Sequence, residues 1–192
     1  EYKTDNEFRA MYRDLFIFSY QGCGMNFSDI LRLTWGQVGT FPSASGERKE
    51  FLTFVRKKTD RKSNEDRRHV IILPMMRKII ERWGNPGITN ETYVFKPLSR
   101  ADNEAERVRI IKQEVRAANM HLKAIAKELQ IENISTYTAR HSWSTHAIQS
   151  GHNIYFIQSQ LGHQDPKTTM AYIKSLGPEL LENSMDFVVG YE

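Results

Sequence analysis

The first twenty residues carry apolar side chains at the three- and four-residue spacing of a helix that packs on a core. Asp5 or Asn6 can cap this helix, and the glycines Gly22 and Gly24 end it. We expect the following positions to face the core: Phe8, Met11, Tyr12, Leu15, Phe16 and Ser19. The pattern therefore predicts an amphipathic helix at the start of the chain.

The next fifty residues alternate between short helical and short extended patterns. Residues 28–31 predict a short second helix that closes near Trp35, and the stretch 39–46, which contains Gly, Ser and Pro, predicts a loop. Runs of β-forming residues at 51–56 and 69–73 predict two strands of a hairpin. The polar, basic stretch between them, up to Arg68, is expected at the hairpin tip.

Helices dominate the remainder of the chain. Pro74 favours the first position of a helix over 75–83, and Ser99 with Asp102 resembles a capping box before a long helix. The apolar positions of that long helix recur by three and four, at Val108, Ile111, Val115, Ala118, Leu122, Ile125 and Leu129. Three shorter helices are predicted at 138–149, 153–161 and 166–174, followed by an apolar terminal segment at 178–189.

These elements predict a mainly α fold with a small antiparallel β-sheet, of the α+β class. A length of 192 residues with 40% hydrophobic content fits one domain spanning 1–192. The chain starts at Glu1 rather than at methionine, so we expect a piece of a longer protein.

Several classes of site are disfavoured by composition. The apolar runs are too short to span a bilayer, and the single cysteine, Cys23, rules out a disulfide framework, so we expect a soluble, cytoplasmic protein without a membrane partner. No phosphate-binding glycine loop is present, and His141 and His146 are five residues apart, a poor spacing for two metal ligands on one helix. We therefore expect no cofactor, no metal ion and no small-molecule substrate.

The positive charge is concentrated in one segment. Nine Lys and Arg residues stand against five acidic residues between Glu47 and Arg68, an excess equal to the whole net charge of +4. A solvated hairpin and a basic lip that faces phosphates both explain this pattern.

Three short motifs follow one another in the last third of the chain. They are Thr136-Tyr-Thr-Ala-Arg140-His-Ser142, Leu161-Gly162-His163 and Thr168-Thr-Met-Ala-Tyr172. In order and spacing they resemble the C-terminal catalytic domain of the tyrosine recombinases, also called the phage integrase family. With the hairpin lysine and the segment Gly24-Met-Asn-Phe27, the resemblance covers nearly the whole chain.

The resemblance implies a metal-independent DNA strand transfer. Tyr172 attacks a backbone phosphate to form a 3′-phosphotyrosine link and release a 5′-hydroxyl, while Arg140 and His163 stabilise the charge on the phosphate oxygens. Lys58 matches the lysine that protonates the leaving oxygen, with Lys57 as the alternative. The same resemblance implies duplex DNA as the partner and a homo-multimer, a tetramer during recombination.

Two positions depart from the family pattern. Asn26 stands where the family has its first arginine, and some integrases of conjugative transposons, which this chain resembles, recruit an arginine from elsewhere; our candidate is Arg13. Tyr137 replaces a histidine and can donate a hydrogen bond but cannot accept a proton at neutral pH.

The function predicted from this resemblance is a site-specific recombinase or integrase catalytic domain that lacks its N-terminal DNA-clamping domain. Residues 178–192 are a candidate tail that docks on a neighbouring protomer. A type IB topoisomerase is an alternative enzyme, and a catalytically silent DNA-binding module is an alternative from another class.

Overall fold

The structure, a computed structural model, describes residues 2–55, 67–87, 89–132 and 134–162. Within these ranges the α-helices are α1 (Glu7–Gln21), α2 (Phe27–Leu31), α3 (Pro74–Trp83), α4 (Glu104–Glu128), α5 (Thr138–Gln149) and α6 (Ile154–Leu161). The strands are β1 (Val38–Pro42), β2 (Arg48–Val55) and β3 (Arg67–Ile71). The expected mainly α fold with a small antiparallel sheet is confirmed. The predicted helix at 166–174, the terminal segment 178–189 and hairpin residues 57–66 lie outside the described residues.

Helix α1 begins and ends where the sequence predicts. The side chain of Asn6 accepts a hydrogen bond from the backbone N–H of Arg9 at 2.9 Å, and the N–H of Gly22 donates to the carbonyl of Phe18 at 2.8 Å. The core-facing prediction is wrong at Phe8, which is 65% exposed. Phe8 lies in the first turn, beyond the elements that cover the rest of α1, and its ring stacks beside His121 of α4.

The sheet has three strands in the order β1-β2-β3, all antiparallel. The predicted loop at 39–46 is confirmed at 43–46 and wrong at 39–42, because residues 39–42 belong to β1, which pairs with β2. Pro42 is tolerated at the end of β1 because that strand is at the sheet edge and needs no donor on its outer side. The turn itself is short: the N–H of Ser43 bonds the carbonyl of Glu47, and Gly46 has a φ of +83°.

Strand β3 begins earlier than the sequence predicts and takes in Arg67 and Arg68. Because side chains alternate across a strand, Arg68 and Val70 point to the buried face while Arg67 is exposed. The assignment of Arg68 to a solvated hairpin tip is therefore wrong, since its side chain belongs to the covered face of the sheet.

Helix α4 starts at a different cap from the predicted one. Asn103 is the cap, and its side chain accepts from the N–H of Glu106 at 2.9 Å, whereas Ser99 lies in a preceding 3₁₀ turn, Lys96–Arg100. Val108 is 40% exposed and Leu129 is 46% exposed, so the predicted apolar stripe is wrong at both ends. The first turns of α4 pack on Leu31 and Leu98 through Ile110 and Ile111 instead.

Helix α1 is the centre of the helical packing, because α3, α4 and α5 all lie against it. Helices α5 and α6 form a second, smaller apolar cluster from Ala147, Ile148, Ile157 and Leu161, with Trp143 at its edge. Helix α5 is therefore held between α1 on one side and α6 on the other. No helix in the described part of the chain is long and apolar enough to cross a membrane.

Candidate active site

The loop that follows α1, residues 22–26, has an unusual backbone. Cys23 and Gly24 both lie in the left-handed region, with φ of 57° and 69°. The N–H of Met25 bonds the carbonyls of Ser19 and Gly22, each at 3.2 Å, and the Ser19 hydroxyl donates to the Met25 carbonyl at 2.6 Å. These bonds fix the direction of the Gly24 carbonyl. We call residues 22–26 the Gly24 loop.

Arg140 joins the Gly24 loop to the end of α6. Its side chain rises from α5 and the residue is 2% exposed. Its Nη1 donates to the Gly24 carbonyl at 3.1 Å, and its Nη2 donates to the Leu161 carbonyl. The Ser144 hydroxyl donates to the Arg140 carbonyl at 2.7 Å, one turn later on α5. One guanidinium therefore connects three separate segments of the chain.

Position 24 requires a glycine because Arg140 lies close to its backbone. A Cβ atom at Gly24 would lie 3.0 Å from the Cα of Arg140 and 3.1 Å from its Cγ. Its positive φ is also a conformation that side chains disfavour. Glycine thus allows the loop backbone to contact Arg140 directly.

The end of α6 meets a second guanidinium. Helix α6 starts at Asn153, whose side chain accepts from the N–H of Tyr155, and ends at Gly162 with φ of +58°. A Cβ atom at Gly162 would overlap the guanidinium of Arg68.

Tyr137 and His141 lie together at the start of α5. Their ring centroids are 4.4 Å apart in an edge-on arrangement, and Tyr137 is 47% exposed. The pKa of His141 is lowered, first by partial desolvation of its ring and second by the positive charge of Arg140. Tyr137 therefore presents an accessible hydroxyl on the same helix turn from which Arg140 turns inward.

Asn26, which stands at the place of the missing arginine, and Arg13, its candidate replacement, lie on different elements of the structure. Asn26 is half-buried at the start of α2, two residues after Gly24, so it lies in the same loop that Arg140 contacts. Arg13 bonds Asp14 through Nε at 2.8 Å and through Nη2 at 2.6 Å, and its Nη1 bonds the carbonyl of Tyr2 at 2.7 Å. The described hydrogen bonds of Arg13 thus join α1 to the segment that precedes it.

Three of the predicted site residues, Lys58, His163 and Tyr172, lie outside the described residues. Among the residues that the structure describes, no group of three or more His, Cys, Asp or Glu side chains could hold a metal ion. Cys23 is not a candidate nucleophile, because burial raises the pKa of its thiol to about 11.

Sequence reasoning missed Arg68 and Ser144 as residues of this region. For Arg68 the signal was available: in Arg67-Arg68-His69-Val70 the alternation of a strand puts Arg68 on the face of Val70. For Ser144, only the hydrogen bond to the backbone of Arg140 reveals its place.

Comparison with known proteins identifies the family to which the chain is similar. The model of the phage integrase family matches residues 2–177. The tyrosine recombinase XerD of Listeria monocytogenes serotype 4b (strain F2365) is 46% identical over 52 residues, which are 27% of this chain and 18% of that protein. A tyrosine recombinase of Thermosipho africanus (strain TCF52B) is 29% identical over 102 residues, 53% of this chain and 31% of that protein.

Solved structures share the fold at low sequence identity. The XerA recombinase superposes with a TM-score of 0.52 at 17% identity, covering 89% of this chain and 57% of that one. The Tn1549 transposon integrase, in complex with a circular intermediate DNA, superposes with a TM-score of 0.54 at 13% identity, covering 88% of this chain and 55% of that one. The chain therefore spans a little over half the length of these recombinases.

Proposed function

The chain belongs to the phage integrase family, and from this premise we propose that it is the catalytic domain of a site-specific DNA recombinase. The observation that carries the proposal is the position of Arg140. It stands in the motif that resembles the family's arginine box, and its guanidinium is fixed between the Gly24 loop and the α6 turn that leads to His163.

This arrangement suits the binding of a phosphate in a transition state. A guanidinium carries five N–H donors in one plane, and bonds to the carbonyls of Gly24 and Leu161 fix that plane. A donor group held before the reaction needs no reorganisation when negative charge develops on the phosphate oxygens. Arg140 is accordingly the proposed phosphate fork, with His163 as a second donor.

Each step of the proposed reaction forms one oxygen–phosphorus bond and breaks another. The Oη atom of Tyr172 gives its proton to solvent and forms a bond to phosphorus, while the bond from phosphorus to the 5′-oxygen breaks. That oxygen takes a proton from Lys58 and leaves as a 5′-hydroxyl. Because the phosphotyrosine keeps the energy of the broken bond, a 5′-hydroxyl can attack it in turn and rejoin the strands without ATP.

Three further residues receive proposed roles. Tyr137, a half-exposed residue whose ring packs edge-on against His141, donates a hydrogen bond that positions the phosphate. Asn26 contributes a neutral amide at the place of the family's first arginine. Arg13 stays our candidate for the missing positive charge, although its described bonds to Asp14 and Tyr2 must break for it to reach a phosphate.

The proposed partner is duplex DNA, on which four copies of the chain assemble for recombination. The complexes of the Tn1549 integrase with DNA support the DNA partner. We further propose that the domain 1–192 works in the cytoplasm as part of a longer protein with an N-terminal DNA-clamping domain. We also propose that residues 178–192 dock on a neighbouring copy of the chain.

The test uses the full-length protein and duplex DNA selected from genomic fragments by binding. A nick beside the cleavage position lets the released strand diffuse away, so a covalent protein–DNA adduct accumulates and is seen by denaturing electrophoresis. We expect an adduct with the wild type, none with Tyr172→Phe, and a strongly slowed reaction with Arg140→Lys, which keeps the charge but loses the fork.

Arg116→Lys is the matched control, because Arg116 is an exposed arginine on α4 and the substitution makes the same chemical change outside the proposed site. It should react like the wild type at saturating DNA. A wild-type protein that binds its DNA in a salt-dependent manner but never forms an adduct would instead be the catalytically silent binding module.

A further inference from the structure

Arg68 is a buried cation on the sheet. It is 6% exposed and occupies an inward position of β3, next to Val70 and among apolar neighbours. Arginine is seldom buried to this extent unless its guanidinium is paired. The segments through which this chain resembles the family do not include Arg68.

The side chain of Arg68 reaches from the sheet to the end of α6. On the sheet, Arg68 pairs in register with Phe54 of β2, and its guanidinium carbon lies 5.9 Å from the centroid of the Phe54 ring. At its far end the guanidinium lies against Gly162, at the place that a Cβ atom would fill. Arg68 therefore bridges the base of the β2–β3 hairpin and the C-terminal turn of α6.

Both ends of this bridge lead to proposed catalytic groups. Lys58 follows Phe54 by four residues, in the segment between β2 and β3, and His163 follows Gly162 directly. Arg140 bonds the carbonyl of Leu161, the residue before Gly162. The guanidiniums of Arg68 and Arg140 thus both contact the C-terminal turn of α6. This turn is the negative end of the α6 dipole, where positive charge is favourable.

We propose that Arg68 is a positioning residue, which fixes the α6 C-terminal turn and, through the carbonyl of Leu161 in that turn, the guanidinium of Arg140. The proposal rests on the proposed function, because it assigns Arg68 an effect on phosphotyrosine formation. Arg68 acts through the turn rather than on the phosphate. A displacement of about 1 Å at a catalytic group can slow a reaction about a hundredfold, so the loss of this contact has a measurable effect.

The principal test replaces Arg68 by methionine, which keeps an unbranched apolar stem but removes the guanidinium. Three quantities are measured on the full-length protein: adduct formation in a single turnover at saturating DNA, the dissociation constant for DNA, and the melting temperature. We expect Arg68→Met to slow adduct formation about a hundredfold while DNA affinity stays at the wild-type value. Arg68→Lys, which restores the charge without the planar fork, should recover part of the rate.

Arg67→Met is the matched control. Arg67 is the preceding residue of β3 and carries the same charge, but its side chain is exposed on the opposite face. It should form the adduct at the wild-type rate, which separates the position of Arg68 from the mere loss of one positive charge.

A second variant approaches the contact from the other side. Gly162→Ala places a methyl group where the Arg68 guanidinium lies, at a φ of +58°. Gly151→Ala introduces the same residue at a φ of +72° with nothing within 4 Å, so it controls for backbone strain alone. We expect Gly162→Ala to slow adduct formation far more than Gly151→Ala does, even if Arg68→Met does not fold.

The outcomes distinguish this proposal from the proposed function. If the wild type forms an adduct and Arg68→Met forms it equally fast, Arg68 has no positioning role. The same conclusion follows if Arg68→Met loses DNA affinity and melting temperature in proportion to its rate, because a purely structural residue behaves in that way. If the wild type itself forms no adduct with its DNA, the proposed function fails first.

Discussion

Replacing Gly24 by alanine tests the contact on which the candidate site is built. The substitution has two separable costs. A left-handed backbone costs a residue with a side chain about 1–2 kcal/mol. The new methyl group, 3.0 Å from the Cα of Arg140, adds an overpacking cost of about 1–3 kcal/mol. We therefore expect Gly24→Ala to lower the free energy of unfolding by about 2–5 kcal/mol.

Gly151→Ala provides a reference for the first cost alone. Gly151 also follows a helix, has a φ of +72° and has nothing within 4 Å of its Cβ position. Urea unfolding of both variants gives the difference between their free energies of unfolding. That difference, about 1–3 kcal/mol, measures the contact with Arg140.

The same pair of variants reports on the reaction. Because the methyl group of Gly24→Ala displaces Arg140 from the Gly24 carbonyl, we expect slower adduct formation in this variant even where it is fully folded. Gly151→Ala should react at the wild-type rate. Equal losses of stability in the two variants, or equal reaction rates, would refute the argument that Gly24 exists to admit Arg140.

Three further predictions concern stability and reactivity. Asp14→Ala removes the acceptor of both the Trp83 indole N–H and Arg13, and we expect a loss of about 3 kcal/mol in urea unfolding; a loss below about 1 kcal/mol contradicts this. The pKa values of His121 and His141 are lowered in the folded protein, so stability should be complete above the unfolded pKa near 6.5 and fall as pH drops through the folded pKa values. The double variant His121→Gln/His141→Gln should flatten that dependence between pH 7 and 5. Finally, the thiol of Cys23, with a pKa of about 11, should react with an aromatic disulfide at pH 8 more slowly in the folded protein than after urea unfolding, and equal rates would contradict the raised pKa.

The sequence predicted those elements whose signals are local. Asn6 caps α1, Pro74 opens α3, and Gly151 and Gly162 lie after the ends of α5 and α6, because each of these residues favours its position through its own backbone or side chain. Strand β1 was missed because its pairing with β2 across the Ser43–Gly46 turn outweighs the weak strand preference of its own residues.

The sequence predicted which residue types form the candidate site but not the contacts between them. Arg140 follows from the resemblance of its motif to a family, whereas its bonds to Gly24 and Leu161 join residues 116 and 21 positions apart in sequence. Arg68 was misplaced for a similar reason. Its charge suggested a place on the hairpin tip, whereas in the structure it is buried with its guanidinium against Gly162 at the end of α6.

The most direct test of the central claim is to identify the residue that becomes linked to DNA. The adduct formed on a nicked duplex is digested with trypsin and nuclease, and the modified peptide is sequenced by mass spectrometry. Cleavage after Lys167 and Lys174 releases residues 168–174, in which Tyr172 is the single tyrosine. We expect a nucleotide phosphate on Tyr172. An adduct on any other residue, or no adduct with the full-length protein on its own DNA, would contradict the account.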